Sequence, residues 1–269
     1  MVSRNRGNPN GGSGTQYFIG RFDGKTFVNS SPSQAPNWLD YGKDNYAGVT
    51  WSDAPNKRGQ RTMIGWMNNW QYAQALPTTP WRGCMTLPRL LNLSKDDSGM
   101  HLITIPIPTV TTIRKEAVAF SRGVHREDLS LMENVKNRNG RYEVQLEFER
   151  PDSGDLKVEV FNAVGDLLYI GYNANQNEYF IDRLTAGTSD FSADFPGRHV
   201  APCYYRPGTI KMHLFFDVAS VELFADDGRT ILTDLVFPRE PYTDITIDAS
   251  ATAPVTMIRG RVFELGSVW

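Results

Sequence analysis

Three neighbouring segments of the sequence hold most of the side chains that could do chemistry. They are residues 40–44, 65–72 and 77–82, and they combine tryptophan, tyrosine, asparagine and aspartate. Indole and phenol rings stack on the apolar face of a sugar ring, while amides and carboxylates bond its hydroxyl groups in pairs. The composition therefore fits a carbohydrate pocket. Taken alone, it fits packing of these aromatic rings in a protein core better still.

The rest of the composition excludes several kinds of partner. The net charge is -2 with acidic and basic residues interspersed, so the sequence has no basic patch and predicts no nucleic-acid partner. It contains no long apolar run and no signal-peptide pattern, which predicts no membrane span and no secretion signal in this chain. The histidines show no ligand spacing, and Cys84 and Cys203 lie far apart, so we expect two thiols, no metal site and no cofactor.

Strand periodicity runs through almost the whole sequence. In the clearest case the apolar residues Tyr142, Val144, Leu146 and Phe148 alternate with glutamate and glutamine, which predicts one face in the core and the other in water. Asp-Gly, Asn-Gly and Ser-Gly turn signals separate many of the other short runs. No stretch keeps a helical period. The elements that position the three segments are therefore strands, and the chain is predicted to be all-β.

The distribution of tryptophan predicts two structural units. Five of the six tryptophans lie within the first 81 residues, and the second half alternates more regularly. We place the first unit at residues 1–95, a linker at 96–114 and the second unit at 115–269. The first unit is too short for a closed β-propeller, and the second has the length of a β-sandwich of two sheets.

The order of short motifs along the chain resembles glycoside hydrolase family 32, which contains invertases, levanases and exo-inulinases. The matching segments are residues 16–20 with 22–24, 40–42 with 44 and 46–47, 64–72, 80–82 with 87–89, 220–224, 226–228, 232–234 and 263–265. Several segments in family order are more specific than any single motif. The levanase and exo-inulinase branch is the most similar. Two positions depart from the family pattern, namely Arg21 and Leu90, where an aspartate and a glutamate are usual.

The resemblance implies a five-bladed β-propeller with the active site at its mouth, followed by a β-sandwich. Residues 1–95 would then be the final blade region of a partial propeller. The implied ligand is fructan or sucrose, and the parent enzyme would be secreted or periplasmic. The residues that this resemblance offers for sugar contact are Asp40, Tyr41, Trp66, Asn68, Asn69, Trp70 and Trp81, with Trp66 the best candidate for the fructosyl ring.

The catalytic carboxylates of the family have no counterpart among the motifs of this sequence. Family members use a retaining mechanism with a carboxylate nucleophile, a carboxylic acid and a further stabilising aspartate. The run from Trp66 to Asn69 looks like the nucleophile motif, but it has Asn69 in place of the aspartate and no proline afterwards. We therefore expect a fragment that is inactive alone and binds fructan or sucrose weakly.

Two alternatives stay open from the sequence. The first is a non-catalytic fructan-binding module, in which exposed aromatic rings hold the polymer. The second is an accessory half that pairs with a separate amino-terminal polypeptide or self-associates.

Overall fold

The computed structural model describes residues 1–30, 36–53, 61–96, 99–204, 208–249 and 254–267. In these ranges the chain consists of β-strands, turns and two short 3-10 helices, Pro108–Ile113 and Asp226–Gly228. The predicted all-β class is confirmed. Within the same ranges, no helix has both the length and the apolar character that crossing a membrane requires.

The amino-terminal part builds two propeller sheets and a hairpin, and all of its strand pairs are antiparallel. Its strands are β1 (Val2–Arg4), β2 (Gly14–Tyr17), β3 (Gly20–Phe22), β4 (Phe27–Asn29), β5 (Asn37–Trp38), β6 (Tyr46–Thr50), β7 (Arg61–Met67), β8 (Cys84–Met85), β9 (Arg89–Asp96) and β10 (Gly99–Pro106). One sheet has the strand order β1-β2-β5, and the other has the order β10-β9-β7-β6 with β8 beside β7. Strands β3 and β4 form the separate hairpin.

The carboxy-terminal part is a β-sandwich. Its strands are β11 (Arg114–Phe120), β12 (Gly123–His125), β13 (Leu129–Ser130), β14 (Tyr142–Glu149), β15 (Asp155–Phe161), β16 (Leu167–Asn173), β17 (Glu178–Thr185), β18 (Arg198–Pro202), β19 (Thr209–Asp217), β20 (Ser220–Ala225), β21 (Thr230–Leu235), β22 (Asp244–Asp248) and β23 (Val255–Leu265). A seven-stranded sheet has the order β11-β23-β14-β19-β20-β21 with β12 beside β23. A six-stranded sheet has the order β13-β22-β15-β16-β17-β18.

One apolar core lies between the two sheets of the sandwich. Tyr142, Val144 and Phe148 are fully buried and Leu146 is 3% exposed, as the alternation in the sequence predicts. They belong to the same cluster as apolar side chains of the opposite sheet such as Val158. A partial propeller followed by a two-sheet sandwich is therefore the architecture of this chain.

The opposite face of β14 does not simply face water, which corrects the prediction from its alternation. Glu143 is fully buried on that face. Arg114, at the start of β11, donates two hydrogen bonds of 2.5 Å to its carboxylate, and His213 Nε2 lies 2.7 Å from Glu143 Oε1. The acidic side chain is buried because cationic and polar neighbours cover it, and alternation alone does not reveal such a cover.

The segment predicted as a linker, residues 96–114, contains regular structure. Strand β10 pairs with β9 along its whole length, from Gly99 opposite Asp96 to Pro106 opposite Arg89. The 3-10 helix Pro108–Ile113 then leads into β11. The division of the chain at residues 95 and 115 remains a prediction.

Residues of the propeller part lie directly against the edge strand β21 of the sandwich. Tyr41 donates its backbone N–H to Ile231 at 2.8 Å, and Asp44 donates to Thr233 at 3.0 Å. Between them, a Cβ on Gly42 would lie only 2.0 Å from the backbone nitrogen of Thr233. Glycine is required here because the two backbones approach too closely for any side chain. The segment at residues 41–44 thus covers the edge of the seven-stranded sheet.

Candidate functional site

Strand β7 and the turn after it present the tryptophan-rich segment. Met63, Gly65 and Met67 are buried, whereas Ile64 and Trp66 alternate with them and are half-buried. The chain then turns at residues 70–75, which places Trp70 next to Trp66 with ring centroids 5.1 Å apart and planes inclined at 56°. We call this pair the tryptophan wedge. Tyr46 on β6 packs edge-on against Trp66 at 6.4 Å.

The wedge offers aromatic surface to a ligand. Trp70 is 49% exposed, although a ring of this size is usually buried. Gly83 approaches the wedge so closely that a Cβ there would lie 2.6 Å from Trp66 Nε1 and 2.8 Å from Asn68 Nδ2. Its φ of +73° is also in the left-handed region that favours glycine. The backbone of Gly83 therefore fixes one side of Trp66.

Asn68 supplies a hydrogen-bond donor at the base of the wedge. The side chain is fully buried, and its Oδ1 accepts the backbone N–H of Asn69 at 2.8 Å. Among the residues that the structure describes, Asn68 Nδ2 has no hydrogen-bond partner. A buried donor without a partner is costly, so Asn68 is suited to meet an acceptor supplied from outside the chain, such as a sugar hydroxyl.

Asn69 has a different role, because all of its hydrogen-bonding capacity is used within the protein. Its Nδ2 donates to the carbonyl oxygens of Lys43 at 2.7 Å and Gly11 at 3.2 Å. Its Oδ1 accepts backbone N–H groups from Ser13 and Gln71. Asn69 thus fastens the wedge turn to two other propeller segments and leaves no free group for a ligand.

Two predicted contact residues lie away from the wedge surface, and the structure does not support direct sugar contact by either. Asp40 is 1% exposed, and its carboxylate accepts hydrogen bonds from Arg89 at 2.8 Å and Thr233 at 2.6 Å, besides Gly42 and Asn45. A buried carboxylate with this many internal hydrogen-bond donors stabilises the fold and has no free oxygen for a ligand.

Tyr41 belongs to the interior of the sandwich side. It is 7% exposed, packs in the large apolar core and shares a hydrogen bond with the hydroxyl of Tyr204. Burial raises the pKa of Tyr41 far above its ordinary value, and the neighbouring Tyr204 adds to the shift. Both Asp40 and Tyr41 are therefore used inside the fold, and their direct contact with a sugar stays a prediction.

Trp81 is exposed, but the structure gives it no aromatic contact with the wedge among the described residues. Its side chain is 46% exposed, and its backbone carbonyl accepts a hydrogen bond from the Thr78 hydroxyl at 2.6 Å. Of the predicted contact residues, the structure brings Trp66, Asn68 and Trp70 together, and it places Asn69 beneath them. Trp81 lies on the next loop along the chain.

The sequence analysis did not identify the charged unit that holds the wedge turn in place. Tyr72, within that turn, donates its hydroxyl to Asp44 at 2.6 Å. Arg183 on β17 of the sandwich donates to Asp44 at 2.7 Å and to the Tyr72 oxygen at 2.9 Å. Burial raises the pKa of Tyr72 well above its ordinary value, so the hydroxyl keeps its proton and remains a donor. Arg183 is 139 residues from Asp44 in sequence, and no local pattern signals such a contact.

A second buried group continues this unit. His199 Nδ1 lies 2.8 Å from Asp234, and Arg183 lies 3.8 Å from the same carboxylate. Burial opposes ionisation of Asp234, but His199 and Arg183 outweigh it and hold the pKa of that carboxyl below its ordinary value. Arg89 forms a similar bridge between Asp40 and Glu222 of β20. The sandwich therefore supplies the buried charges that fix the propeller loops beneath the wedge.

The described residues contain no group of three or more histidine, cysteine, aspartate or glutamate side chains placed to hold a metal ion. Both cysteines are free thiols, with Cys84 half-buried and Cys203 buried.

Comparisons with known proteins agree with this arrangement. The family model described as "Glycosyl hydrolases family 32 N-terminal domain" matches residues 1–106, and "Glycosyl hydrolases family 32 C terminal" matches residues 109–261. A levanase of Bacillus subtilis (strain 168) is 35% identical over 279 residues, which are 100% of this chain and 40% of that protein. An extracellular exo-inulinase of Aspergillus awamori is 30% identical over 98% of this chain and 51% of its own length.

The crystal structure of an exo-inulinase from Aspergillus awamori superposes with a TM-score of 0.85 and 28% identity, and the match covers 97% of this chain and 53% of that chain. This chain thus spans about half, or less, of the length of these relatives. Together the family matches account for nearly all of the sequence, and the relatives share both of its structural units. The chain belongs to glycoside hydrolase family 32.

Proposed function

We propose that this chain forms the carboxy-terminal part of a β-fructosidase and carries one wall of its sugar site. The observation that supports this most directly is the tryptophan wedge with the unpartnered Asn68 Nδ2 at its base. A tilted aromatic pair beside a free amide donor suits a ring that has one apolar face and hydroxyl groups at its edge. The relatives named levanase and exo-inulinase make fructan or sucrose the proposed ligand.

We further propose that the polypeptide of 269 residues does not hydrolyse these sugars alone. Retaining hydrolysis needs two carboxyl groups about 5–5.5 Å apart on either side of the scissile bond. Asp40 and Asp44, the two carboxylates of the motif segment at residues 40–44, are both buried, and each is bound to an arginine. Neither can reach a sugar in this arrangement. Catalysis would therefore use residues that lie outside this segment of a family enzyme.

The second candidate is an accessory half that completes its propeller with another polypeptide or with a second copy. The observation in its favour is the exposure of the β3–β4 hairpin, where Phe22 is 67% and Val28 62% exposed. Strand β1 is exposed along its whole length as well. Exposed strand edges and apolar side chains are surfaces that pair with other chains.

The binding-module alternative relies on the same wedge as the leading proposal and differs from it only in lacking a catalytic partner.

The binding part of the proposal is tested with two matched tryptophan variants. Trp70→Ala removes half of the wedge, and Trp51→Ala removes a tryptophan of similar exposure, 46%, outside it. Binding of sucrose, inulin and levan is measured by tryptophan fluorescence and affinity electrophoresis. Binding should weaken about threefold to tenfold in Trp70→Ala only. Equal binding by both variants would place the sugar elsewhere.

The catalytic part is tested by release of fructose from inulin and levan. The purified chain should release no fructose above background, and a chain with both Asp40→Asn and Asp44→Asn should release none either. Turnover in the unmodified chain would overturn this proposal, and its loss in a double variant whose circular dichroism shows that it still folds would assign the activity to these carboxylates. In that case the proposal of an inactive polypeptide would be wrong, whatever the outcome of the binding experiment.

A further inference from the structure

A cavity of about 570 Å³ lies between the propeller and the outer face of the seven-stranded sheet. Its propeller wall comes from β10 and the 3-10 helix Pro108–Ile113, and its sandwich wall comes from β14, β19, β20 and β23. None of the predicted sugar-contact residues lines it. The volume is in the range of pockets that hold small organic ligands. We call this cavity the interdomain cleft.

One wall of the interdomain cleft is aliphatic. Ile103 and Ile105 line it from strand β10, and Ile107 and Val110 continue the wall toward the 3-10 helix. All four are only half-buried, so they keep apolar surface facing the cavity. Ile103 and Ile105 face the same side because every second residue of a strand such as β10 points to the same face of the sheet. An apolar body can therefore lie along this wall.

The other wall is a polar row across the sheet. Strand register places Gln145 on β14 between His213 on β19 and Arg261 on β23, and it places Phe224 beyond His213. Neighbouring residues of one sheet face lie close enough for their side chains to act on one ligand. All four residues line the cavity.

Nearly every charge around the cleft is already paired. Glu143, beneath the row, is bound by Arg114. Glu147 is bound by Arg259 at 2.6 Å, and Asp227 by Lys211 at 2.6 Å. In each pair one cation offsets one carboxylate, so the pairs together contribute no net charge.

Arg261 is the exception. Within the described residues its side chain, which lines the cleft, forms no ion pair, hydrogen bond or ring contact. A guanidinium presents donors in a planar fork that fits a carboxylate through two parallel hydrogen bonds. The cleft therefore has one uncompensated positive group facing an aliphatic wall.

The residue types in the cleft argue against a second sugar site. Among the residues that the structure describes, neither tryptophan nor tyrosine lines it, whereas the wedge consists of tryptophan. Sugar rings are held by flat aromatic faces, and branched aliphatic side chains favour hydrocarbon. We propose that the interdomain cleft binds an organic carboxylate with an apolar body, whose carboxylate pairs with Arg261 while its hydrocarbon lies against Ile103 and Ile105.

Octanoate is a suitable probe, with octan-1-ol as its uncharged counterpart of equal chain length. Calorimetric titration of the full chain should show saturable binding of one octanoate, and binding of octan-1-ol should be at least about tenfold weaker because the alcohol lacks the charge-assisted pair. Isoleucine-methyl NMR should show shifts at Ile103, Ile105 and Ile107. The methyl groups of Ile170 and Ile181, buried in the sandwich core, should not move.

Arg261→Gln should weaken octanoate binding by at least about tenfold while leaving octan-1-ol unchanged. The matched control is Arg21→Gln, because Arg21 is also an exposed strand arginine without an ion pair among the described residues. Unchanged octanoate binding by Arg261→Gln, or equal binding of the alcohol, would overturn the proposal. The proposal would also be wrong if sucrose displaced octanoate and shifted the methyl signals of the same isoleucines, because the cleft would then be a sugar site.

Discussion

Arg183 of the sandwich donates a 2.7 Å hydrogen bond to Asp44 of the propeller, and both side chains are completely buried. The same guanidinium donates a hydrogen bond to the Tyr72 hydroxyl within the wedge turn. The position of the wedge thus depends on a charge supplied by the other structural unit.

Asp44→Asn should destabilise the chain by about 3–5 kcal/mol, because it leaves the buried Arg183 without its closest counter-charge. The asparagine amide would also direct a donor toward groups that are donors themselves. Urea denaturation followed by circular dichroism measures the change. Arg198→Gln is the control, since its 3.4 Å pair with Asp155 is partly exposed and should contribute no more than about 1 kcal/mol. Equal effects of the two substitutions would show that the buried unit is not essential.

Val144→Asp should prevent stable folding or lower the unfolding midpoint severely. Val144 is fully buried in the sandwich core, and an unpaired charge there costs several kcal/mol, which is comparable with the whole stability of a domain. Thermal unfolding measures the effect. Val124→Asp, on a strand of the same sheet with 60% exposure, should change the midpoint little. An unchanged midpoint for Val144→Asp would contradict the core that we describe.

Glu143→Gln should destabilise the chain at neutral pH, and the difference from the unmodified chain should shrink in acid. Burial opposes ionisation of Glu143, but His213 and Arg114 outweigh it and hold its pKa below the ordinary value. A carboxyl with a depressed folded-state pKa stabilises fully above its unfolded pKa, about 4.3, and loses that contribution as the pH falls through the folded value.

Unfolding curves between pH 7 and pH 3 measure this dependence. Glu149→Gln on the same strand is the control, because its ion pair with Arg122 is largely exposed and worth less than about 1 kcal/mol. A difference between the unmodified chain and Glu143→Gln that grows in acid would have the wrong sign for this account.

The β3–β4 hairpin should make the chain self-associate. Phe22→Lys would place a charge in its most exposed aromatic position, and the sedimentation coefficient at high micromolar concentration should then fall toward that of a monomer. Val218→Lys is the control, since this exposed residue lies in a turn of the sandwich at 54% exposure. A monomeric unmodified chain would contradict the prediction.

The sequence was sufficient to predict what depends on local alternation and on the order of motifs. The all-β class, the core face of β14 and the family could be inferred in this way, and the wedge residue Trp66 was singled out. The burial of Glu143 was missed because Arg114, which covers it, reaches the site from a separate strand. Strand β10 was taken for part of a linker because residues 94–99 are polar and residues 105–113 hold two prolines, although the strand pairs along its whole length.

The supporting side of the site could not be predicted for a similar reason. Asp40 resembles a candidate for sugar contact in sequence, yet its partners Arg89 and Thr233 lie 49 and 193 residues away. Only the fold brings these groups together and uses the carboxylate internally. We propose that the two units meet at the 3-10 helix Pro108–Ile113, which lies within the predicted linker at residues 96–114.

The close approach of Gly42 to Thr233 has a consequence for exchanging parts between family members. Because residues 41–44 bond to β21 through backbone groups, this short stretch belongs to the sandwich in space, although 191 residues separate Asp44 from Leu235 in sequence. A chimera that divides the protein at the 3-10 helix would combine a propeller from one ancestor with a β21 edge from another. Successful recombinants should therefore inherit residues 40–44 and the residues around Thr233 from the same parent.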